Sequence, residues 1–314
     1  LQEAEPQQVD ELVELISNIF PRNLFSIFAG DGVALLPITV LAMLFGAVLA
    51  YDRHVTDPVA TVVDSASRIF YHLATIVVDV IGVGMVAVAA ALMFQLRRTA
   101  ELEIYRQLLL VVGVTVLGIV LVLYPLALYL FGRRRDPLMW LASMFAPALQ
   151  AAASGDIYFT YPTLLRESSR ERNIGRRRGA TIFPVATLFG RAGSAAVAAA
   201  TFVVVIRSYT ALEIGAPEIL WILLFATLYS LLLSRFPAAG VPVLLGSLAM
   251  RYGQGMEEAY LIVFPVMPVL LRLGAMLDSV TVGFIGEFLG APEEGGKGRR
   301  TAPPRDARIP PRCL

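Results

Sequence analysis

The sequence predicts an all-α protein that crosses the membrane several times, and three observations support this fold class. Mean hydropathy is +0.68. Hydrophobic residues make up 57% of the chain, where a soluble domain has roughly 45–50%, and only 16% of the residues are charged. Several apolar segments reach the length of about 18 residues that indicates a transmembrane helix. We therefore expect a multi-pass protein in the lipid bilayer of the plasma (inner) membrane.

The first 137 residues are predicted to form the opening helices. Residues 1–17 form a short amphipathic helix, and 33–51 is the first full span. A long helix follows over 58–96, with an amphipathic first half and an apolar second half. The next span, 108–131, carries no charged residue. We assign 1–137 to a partial scaffold.

The next apolar segment, 138–165, is broken in its middle. Ser, Gly, Asp and Pro residues interrupt it over 154–162. Backbone groups freed in a hydrocarbon layer are costly unless they are paired or line a polar cavity. We therefore expect a re-entrant helical hairpin with its tip at 154–162, followed by a helix over 179–206 that carries Arg191.

A second unit repeats this arrangement. The apolar segment 217–252 is interrupted over 237–242 by a Pro-Ala-Ala-Gly-Val-Pro run. The helix 257–289 that follows carries an arginine and Asp278. Broken apolar segments at matching places in two halves point to the binding site of a transporter. The sequence thus predicts a transport core over 138–290, with its site between the two hairpin tips.

Arginine-rich loops predict the orientation of the chain. Cytoplasmic loops carry an excess of arginine and lysine, and 166–178 alone holds six arginines. If each hairpin returns to the side from which it enters, the arginine-rich loops and the C-terminus are cytoplasmic. The tail over 291–314 is rich in Pro, Gly and Arg, so we expect a disordered cytoplasmic segment.

Other classes of protein find little support in the sequence. The net charge of +1 gives no sign of nucleic-acid binding. The single cysteine, Cys313, excludes a disulfide within one chain, and the two histidines lack the spacing of a metal site. The chain has no P-loop, Gly-x-Ser-x-Gly or His-Glu-x-x-His pattern. We therefore expect that the protein is not an enzyme and that it holds no bound metal and no cofactor.

Short motifs frame these elements. They are Phe20-Pro21-Arg22-Asn23, Phe183-Pro184, Gly193-Ser194, Ala239-Gly240-Val241-Pro242 and Met276-Leu277-Asp278-Ser279-Val280-Thr281. With the order of hairpin, helix, hairpin and helix, they resemble the dicarboxylate/amino acid:cation symporter family, which has the glutamate and aspartate transporter fold. The resemblance spans 17–289.

The resemblance implies a glutamate-transporter-like fold with inverted repeats and two re-entrant hairpins. It implies a secondary active symporter that moves a small organic solute by hairpin gating. The solute would be a dicarboxylate or an amino acid, anionic or zwitterionic, and the coupling ion would be sodium or a proton. The resemblance also implies a homotrimer and further spans before Leu1, so we expect the chain to be a fragment.

The sequence departs from the family where the resemblance would place ligands for sodium and solute. The family's seventh helix reads Asn-Met-Asp-Gly-Thr where this chain has Gly190-Arg191-Ala192-Gly193-Ser194. In the eighth helix, Asp278 stands in place of an asparagine. The places of the acidic sodium ligands and the solute-binding arginine hold Leu271, Gly274 and Val282. A second function therefore stays open, that of a degenerate, non-transporting member acting as a membrane sensor or interaction protein.

The candidate site consists of tip residues of both hairpins and polar residues of the helices that follow. The predicted solute-binding residues are Asp156, Thr160, Arg191, Ser194, Gly240, Val241, Pro242 and Asp278. Asp156 and Asp278 are also the candidates for ion coupling. Arg191 either clamps a carboxylate in place of the missing arginine or forms a structural ion pair with Asp278. Asp156 contacts the ligand or caps the second arm of its hairpin. Ser194 donates to a solute or bonds back to its own helix.

Overall fold

The computed structural model describes residues 35–51, 53–98, 105–131, 136–171, 176–210, 214–233, 239–253 and 255–290. Every regular element within these ranges is a helix, so the prediction of an all-α fold is confirmed. Four predicted features lie outside the described residues: the amphipathic helix over 1–17, the Phe20-Pro21-Arg22-Asn23 motif, the tail over 291–314, and the first residues of the second hairpin tip.

Three helices open the described part of the chain. α1 (Leu35–Tyr51) contains no charged residue. α2 (Arg53–Arg98) is a long helix of 46 residues that begins earlier than predicted and bends by 53° after Ile81. α3 (Arg106–Phe131) is α-helical except for a π turn over Ile119–Leu123. Helices lie where the sequence predicts them, but α1 is shorter than the full span predicted over 33–51, since its apolar part covers only Pro37–Tyr51.

The first hairpin consists of two helices joined at Gly155 and Asp156. α4 (Pro137–Ser154) and α5 (Ile157–Glu171) contact each other on either side of this turn. Gly155 has a φ of 75°, a left-handed conformation that glycine adopts without the steric cost of a side chain. The break is therefore shorter than the predicted 154–162, because one left-handed residue is enough to end a helix, and the proline lies within α5.

The span that carries Arg191 is interrupted. The predicted helix over 179–206 is present as one span-length helix, Thr181–Ser208. Regular α-helix stops within it at Gly190 and Arg191, between α6 (Arg176–Phe189) and α7 (Ala192–Thr210), and this break is not predicted. A Cβ at Gly190 would lie 2.3 Å from the carbonyl oxygen of Ala186, so only a glycine fits this tight turn. The interruption places Arg191 between two helix ends.

The second hairpin and the last span complete the fold. α8 (Ala216–Leu232) and α9 (Gly240–Tyr252) are the two arms of the hairpin, and they contact each other. α10 (Met256–Val263) and α11 (Met267–Gly290) follow, joined by a 3-10 turn over Phe264–Val266. The predicted last helix thus contains one tighter turn, at a proline, which lacks the N–H that an α-helix interior uses.

α7 and α11 form the centre of the described structure. They pack against each other, and α4 and α9 pack against them. In the span that contains α7, 61% of the most apolar stretch is buried, whereas the value is 17% in α3. α7 is therefore enclosed by protein while α3 lies at the periphery, so polar groups at the start of α7 are shielded from lipid.

The described helices have the length and composition of membrane spans. Three stretches are long and apolar enough to cross a membrane: Arg106–Phe131, Thr181–Ser208 and Tyr260–Leu289. The bent α2 would be a fourth span if its two parts, Val55–Ile81 and Val83–Ala91, are counted together. Large apolar side chains are exposed along α2 and α3, as expected for surfaces that face lipid. The prediction of a multi-pass membrane protein is therefore confirmed.

Candidate functional site

A buried ion pair lies at the centre of the fold, between the start of α7 and α11. The Nε atom of Arg191 is 3.2 Å from Oδ2 of Asp278, and the two side chains are 3% and 0% exposed. Both charges have lost their hydration, so each depends on the other for stabilisation. The structure thus brings together two of the three charged residues that the sequence singles out in the last two spans.

The first turn of α7 binds the same carboxylate. The backbone N–H of Ser194 donates to Oδ1 of Asp278 at 2.7 Å, and the Ser194 hydroxyl donates to Oδ2 at 2.5 Å. The backbone N–H of Gly193 is a further donor. N–H groups at the start of a helix have no partner within the helix, and the helix dipole favours a negative charge there. Asp278 is therefore held by the helix start as well as by Arg191.

The glycine at position 193 allows α7 and α11 to approach this closely. A Cβ at Gly193 would lie 2.3 Å from the backbone nitrogen of Asp278 and 2.5 Å from the carbonyl carbon of Leu277. Both atoms belong to the backbone of α11, so they cannot move aside as the end of a flexible side chain does. The Gly193-Ser194 pair thus combines close helix contact with donors for the carboxylate.

The tip of the second hairpin closes over the ion pair. A Cβ at Gly240 would lie 2.7 Å from Oγ of Ser194 and 2.9 Å from Nη2 of Arg191. Val241 is fully buried, and its Cγ2 would be 2.5 Å from a Cβ at Gly274 of α11. Because α9 begins at Gly240, the N-terminal end of the hairpin's second arm lies directly on the pair.

The first hairpin contributes an aromatic side chain that the sequence pattern does not indicate. Tyr158 lies in the first turn of α5, and the guanidinium carbon of Arg191 is 6.0 Å from the centroid of its ring. This is the distance of a cation–π contact. Tyrosines are common within apolar helices, so the residue type alone does not indicate a site. The one available signal in the sequence was its position two residues after Asp156.

Asp156 and Thr160 make contacts within the first hairpin. Oδ1 of Asp156 accepts the backbone N–H of Tyr158 at 2.8 Å, the geometry of an N-cap on α5. The Thr160 hydroxyl donates to the carbonyl oxygen of Ile157 at 2.7 Å, and Thr160 is fully buried. The structure therefore shows the capping contact that is the alternative to a ligand role for Asp156.

The other polar and tip residues lie around this centre. Pro242 is in the first turn of α9 and is half-buried, where a helix does not need the N–H that proline lacks. Arg272 lies against the turn of the first hairpin. Its Nη1 donates to the carbonyl oxygen of Pro268 at 3.1 Å, and its Cγ is 3.5 Å from the place of a Cβ at Gly155.

Together these contacts form a small polar centre with balanced charge. One carboxylate and one guanidinium lie where both hairpins meet α7 and α11. Within the described ranges, no group of three or more His, Cys, Asp and Glu side chains is arranged to hold a metal ion. A guanidinium offers a planar fork of donors that matches a carboxylate. In this structure the carboxylate next to that fork is Asp278.

Comparison with known proteins agrees with the architecture. A model of the sodium:dicarboxylate symporter family matches residues 1–282, which include both hairpins, the α6–α7 interruption and Asp278. No curated protein sequence matches the chain significantly. The family match covers most of the 314 residues.

Proposed function

Because the chain belongs to the sodium:dicarboxylate symporter family, we propose that it is a secondary active transporter of small organic solutes that carry a carboxylate, with dicarboxylates and amino acids as the first candidates. One observation carries this proposal, the buried Arg191–Asp278 pair where both hairpins meet α7 and α11. Ionisable groups inside a membrane are costly and are found along solute and ion pathways.

Arg191 binds the carboxylate of the solute in this proposal. Its Nε is directed to Asp278, and its Nη2 lies at the second hairpin tip near Gly240. Arginine holds a carboxylate through two parallel N–H donors, whereas lysine presents a point charge. A solute between the hairpins would thus meet one edge of the guanidinium while Asp278 holds the other.

The second hairpin acts as the gate. Gly240 and Val241 occupy the space next to Arg191 and Ser194, so a solute reaches the guanidinium only when the tip moves away. The N-terminal end of α9 carries backbone N–H groups that favour an anion. Movement of one short arm would therefore expose both Arg191 and this helix start to the solute.

Coupling to sodium or to a proton supplies the driving force for uptake. In the proton case Asp278 is the acceptor, because a protonated Asp278 no longer holds Arg191 and leaves the guanidinium to the solute. The capping contact of Asp156 with α5 makes Asp156 the second candidate, since protonation there would loosen the start of that arm. We place the working protein in the plasma membrane as a homotrimer with a cytoplasmic C-terminus.

Uptake by proteoliposomes tests this function. The purified full chain is reconstituted, and labelled succinate and aspartate are offered under a sodium gradient, a proton gradient or neither. We expect gradient-driven accumulation of at least one solute, lost in Arg191→Gln. It should be retained in Arg68→Gln, which alters an exposed arginine paired with Asp64 on α2.

Absence of uptake for every dicarboxylate and amino acid offered would contradict the transport function. If such a chain still binds a solute, the binding raises the midpoint of its thermal unfolding. Binding without uptake would favour the alternative of a membrane sensor, which keeps the site and has lost the transport cycle.

A further inference from the structure

The carboxylate of Asp278 is surrounded by donors from its own chain. Oδ1 accepts the backbone N–H of Ser194, and Oδ2 accepts the Ser194 hydroxyl and faces Nε of Arg191 at 3.2 Å. The backbone N–H of Gly193 is a further donor. A carboxylate has about four lone-pair sites; Ser194 engages one on each oxygen, and the Arg191 guanidinium faces Oδ2.

The residues at this carboxylate do not fit a sodium ion. Hard cations are bound through the lone pairs of oxygen atoms, and each oxygen of Asp278 already accepts a hydrogen bond from Ser194. A cation at Oδ2 would also share that oxygen with the Arg191 guanidinium, whose Nε lies 3.2 Å away, and like charges only a few ångströms apart repel strongly away from water.

Glu287 and Asp156, two other acidic residues of the described ranges, do not offer a carboxylate to a cation at this position. Glu287 is buried too, but it lies further along α11, about 13 Å from Asp278 by the helical rise. Asp156 is half-buried and caps α5. The cation affinity of the polar centre therefore depends on Asp278 and on the groups that contact its carboxylate.

We propose that Arg191 is a built-in counter-ion that takes the place of a coupling cation on Asp278, so that sodium does not bind at this carboxylate. The helix interruption at Gly190 and Arg191 makes this geometry available, because it lets the arginine enter from a helix end beside α11. This inference rests on the proposed transport function. In that function, the protein would move the solute without a sodium ion at the polar centre.

Thermal unfolding of the purified full chain in detergent tests this assignment without any solute. Midpoints are compared in sodium, potassium and choline chloride at one ionic strength and over a range of sodium concentrations. A sodium ion that binds only the folded state, at roughly 100 times its Kd, would raise the midpoint by about 5 °C. For the wild-type chain we expect the same midpoint in the three salts.

A saturable rise that is specific for sodium and is lost in Asp278→Asn would overturn the proposal. A rise that remains in Asp278→Asn comes from a site elsewhere and leaves Asp278 without sodium, as proposed. The midpoints do not depend on uptake. Failure of the transport function in the proteoliposome test and failure of this inference are therefore separate results.

Variants of Arg191 test whether the guanidinium is what keeps sodium away. Arg191→Gln leaves the carboxylate with only the donors of Gly193 and Ser194, so we expect it to gain a sodium-specific rise of several degrees. Arg191→Lys keeps a cation in place and should stay insensitive. A folded Arg191→Gln chain that does not respond to sodium would overturn the role of Arg191. If that variant does not fold, the midpoints of the wild-type chain and of Asp278→Asn still decide whether sodium binds at Asp278.

Discussion

The Arg191–Asp278 pair should behave as one energetic unit in a double-mutant cycle. The variants are Arg191→Ala, Asp278→Ala and the double replacement. Removing one partner of a buried ion pair costs about 3–5 kcal/mol, because the remaining charge is left uncompensated. The side chains are 3% and 0% exposed, so this range applies rather than the roughly 0–1 kcal/mol of a surface pair.

The two single replacements should differ in size. After Arg191→Ala, Asp278 keeps its hydrogen bonds from Gly193 and Ser194, so the loss should lie near the lower limit, about 3 kcal/mol. After Asp278→Ala, the guanidinium is buried without its carboxylate and the Ser194 donors lose their acceptor, which places the loss near about 5 kcal/mol. The double variant contains neither charge, so it should fall short of the sum by about 2–3 kcal/mol.

Equilibrium unfolding in mixed micelles, followed by tryptophan fluorescence, gives these free energies. Trp140 is buried in α4, which packs against α11, so its signal reports on the centre of the fold. Arg68→Ala is the matched control, because its ion pair with Asp64 is exposed. Additive single losses, or a smaller loss for Asp278→Ala than for Arg191→Ala, would refute the reasoning.

Further replacements probe the packing, the gate and the cap. Gly193→Ala should destabilise the chain by about 1–3 kcal/mol in thermal unfolding, because its Cβ would meet the α11 backbone. Gly246→Ala, whose Cβ meets nothing within 4 Å, should be neutral or stabilising. Gly240→Ala should slow solute uptake more than it lowers the unfolding midpoint, since its Cβ would meet side-chain ends at the closed tip, and unchanged uptake would argue against the gate. Asp156→Ala should lose about 1 kcal/mol of capping energy and Asp156→Asn almost none. A loss of uptake in the stable Asn variant would instead assign the Asp156 charge to coupling.

The spans and hairpins could be predicted because their signals lie along the chain. Long apolar runs without charge indicated α1 and α3, and the helix-breaking residues at 154–162 and 237–242 indicated the hairpins. The interruption at Gly190 and Arg191 was not predicted, since the residues on both sides are equally apolar and the hydrophobic pattern runs through it. The Gly-Arg-Ala-Gly run at 190–193 was the available sign.

The candidate site could be predicted only in part. Arg191 and Asp278 were found because a charge within an apolar helix is rare, and that property is visible in sequence. Tyr158 and Gly274 were not found, because their places next to Arg191 and Val241 depend on how α5, α7, α9 and α11 pack. Such contacts between elements distant in sequence have no pattern along the chain.

Calorimetric titration of the purified full chain tests the central claim, that Arg191 holds the carboxylate of the solute. The titrant is the solute that the uptake screen identifies, offered to the wild-type chain, to Arg191→Gln and to the exposed control Arg68→Gln. A hydrogen bond to a charged group contributes about 1.5–3 kcal/mol, so we predict that Arg191→Gln loses affinity by roughly 10- to 100-fold. Arg68→Gln should bind as the wild type does. Equal affinity of Arg191→Gln and the wild type would contradict the account.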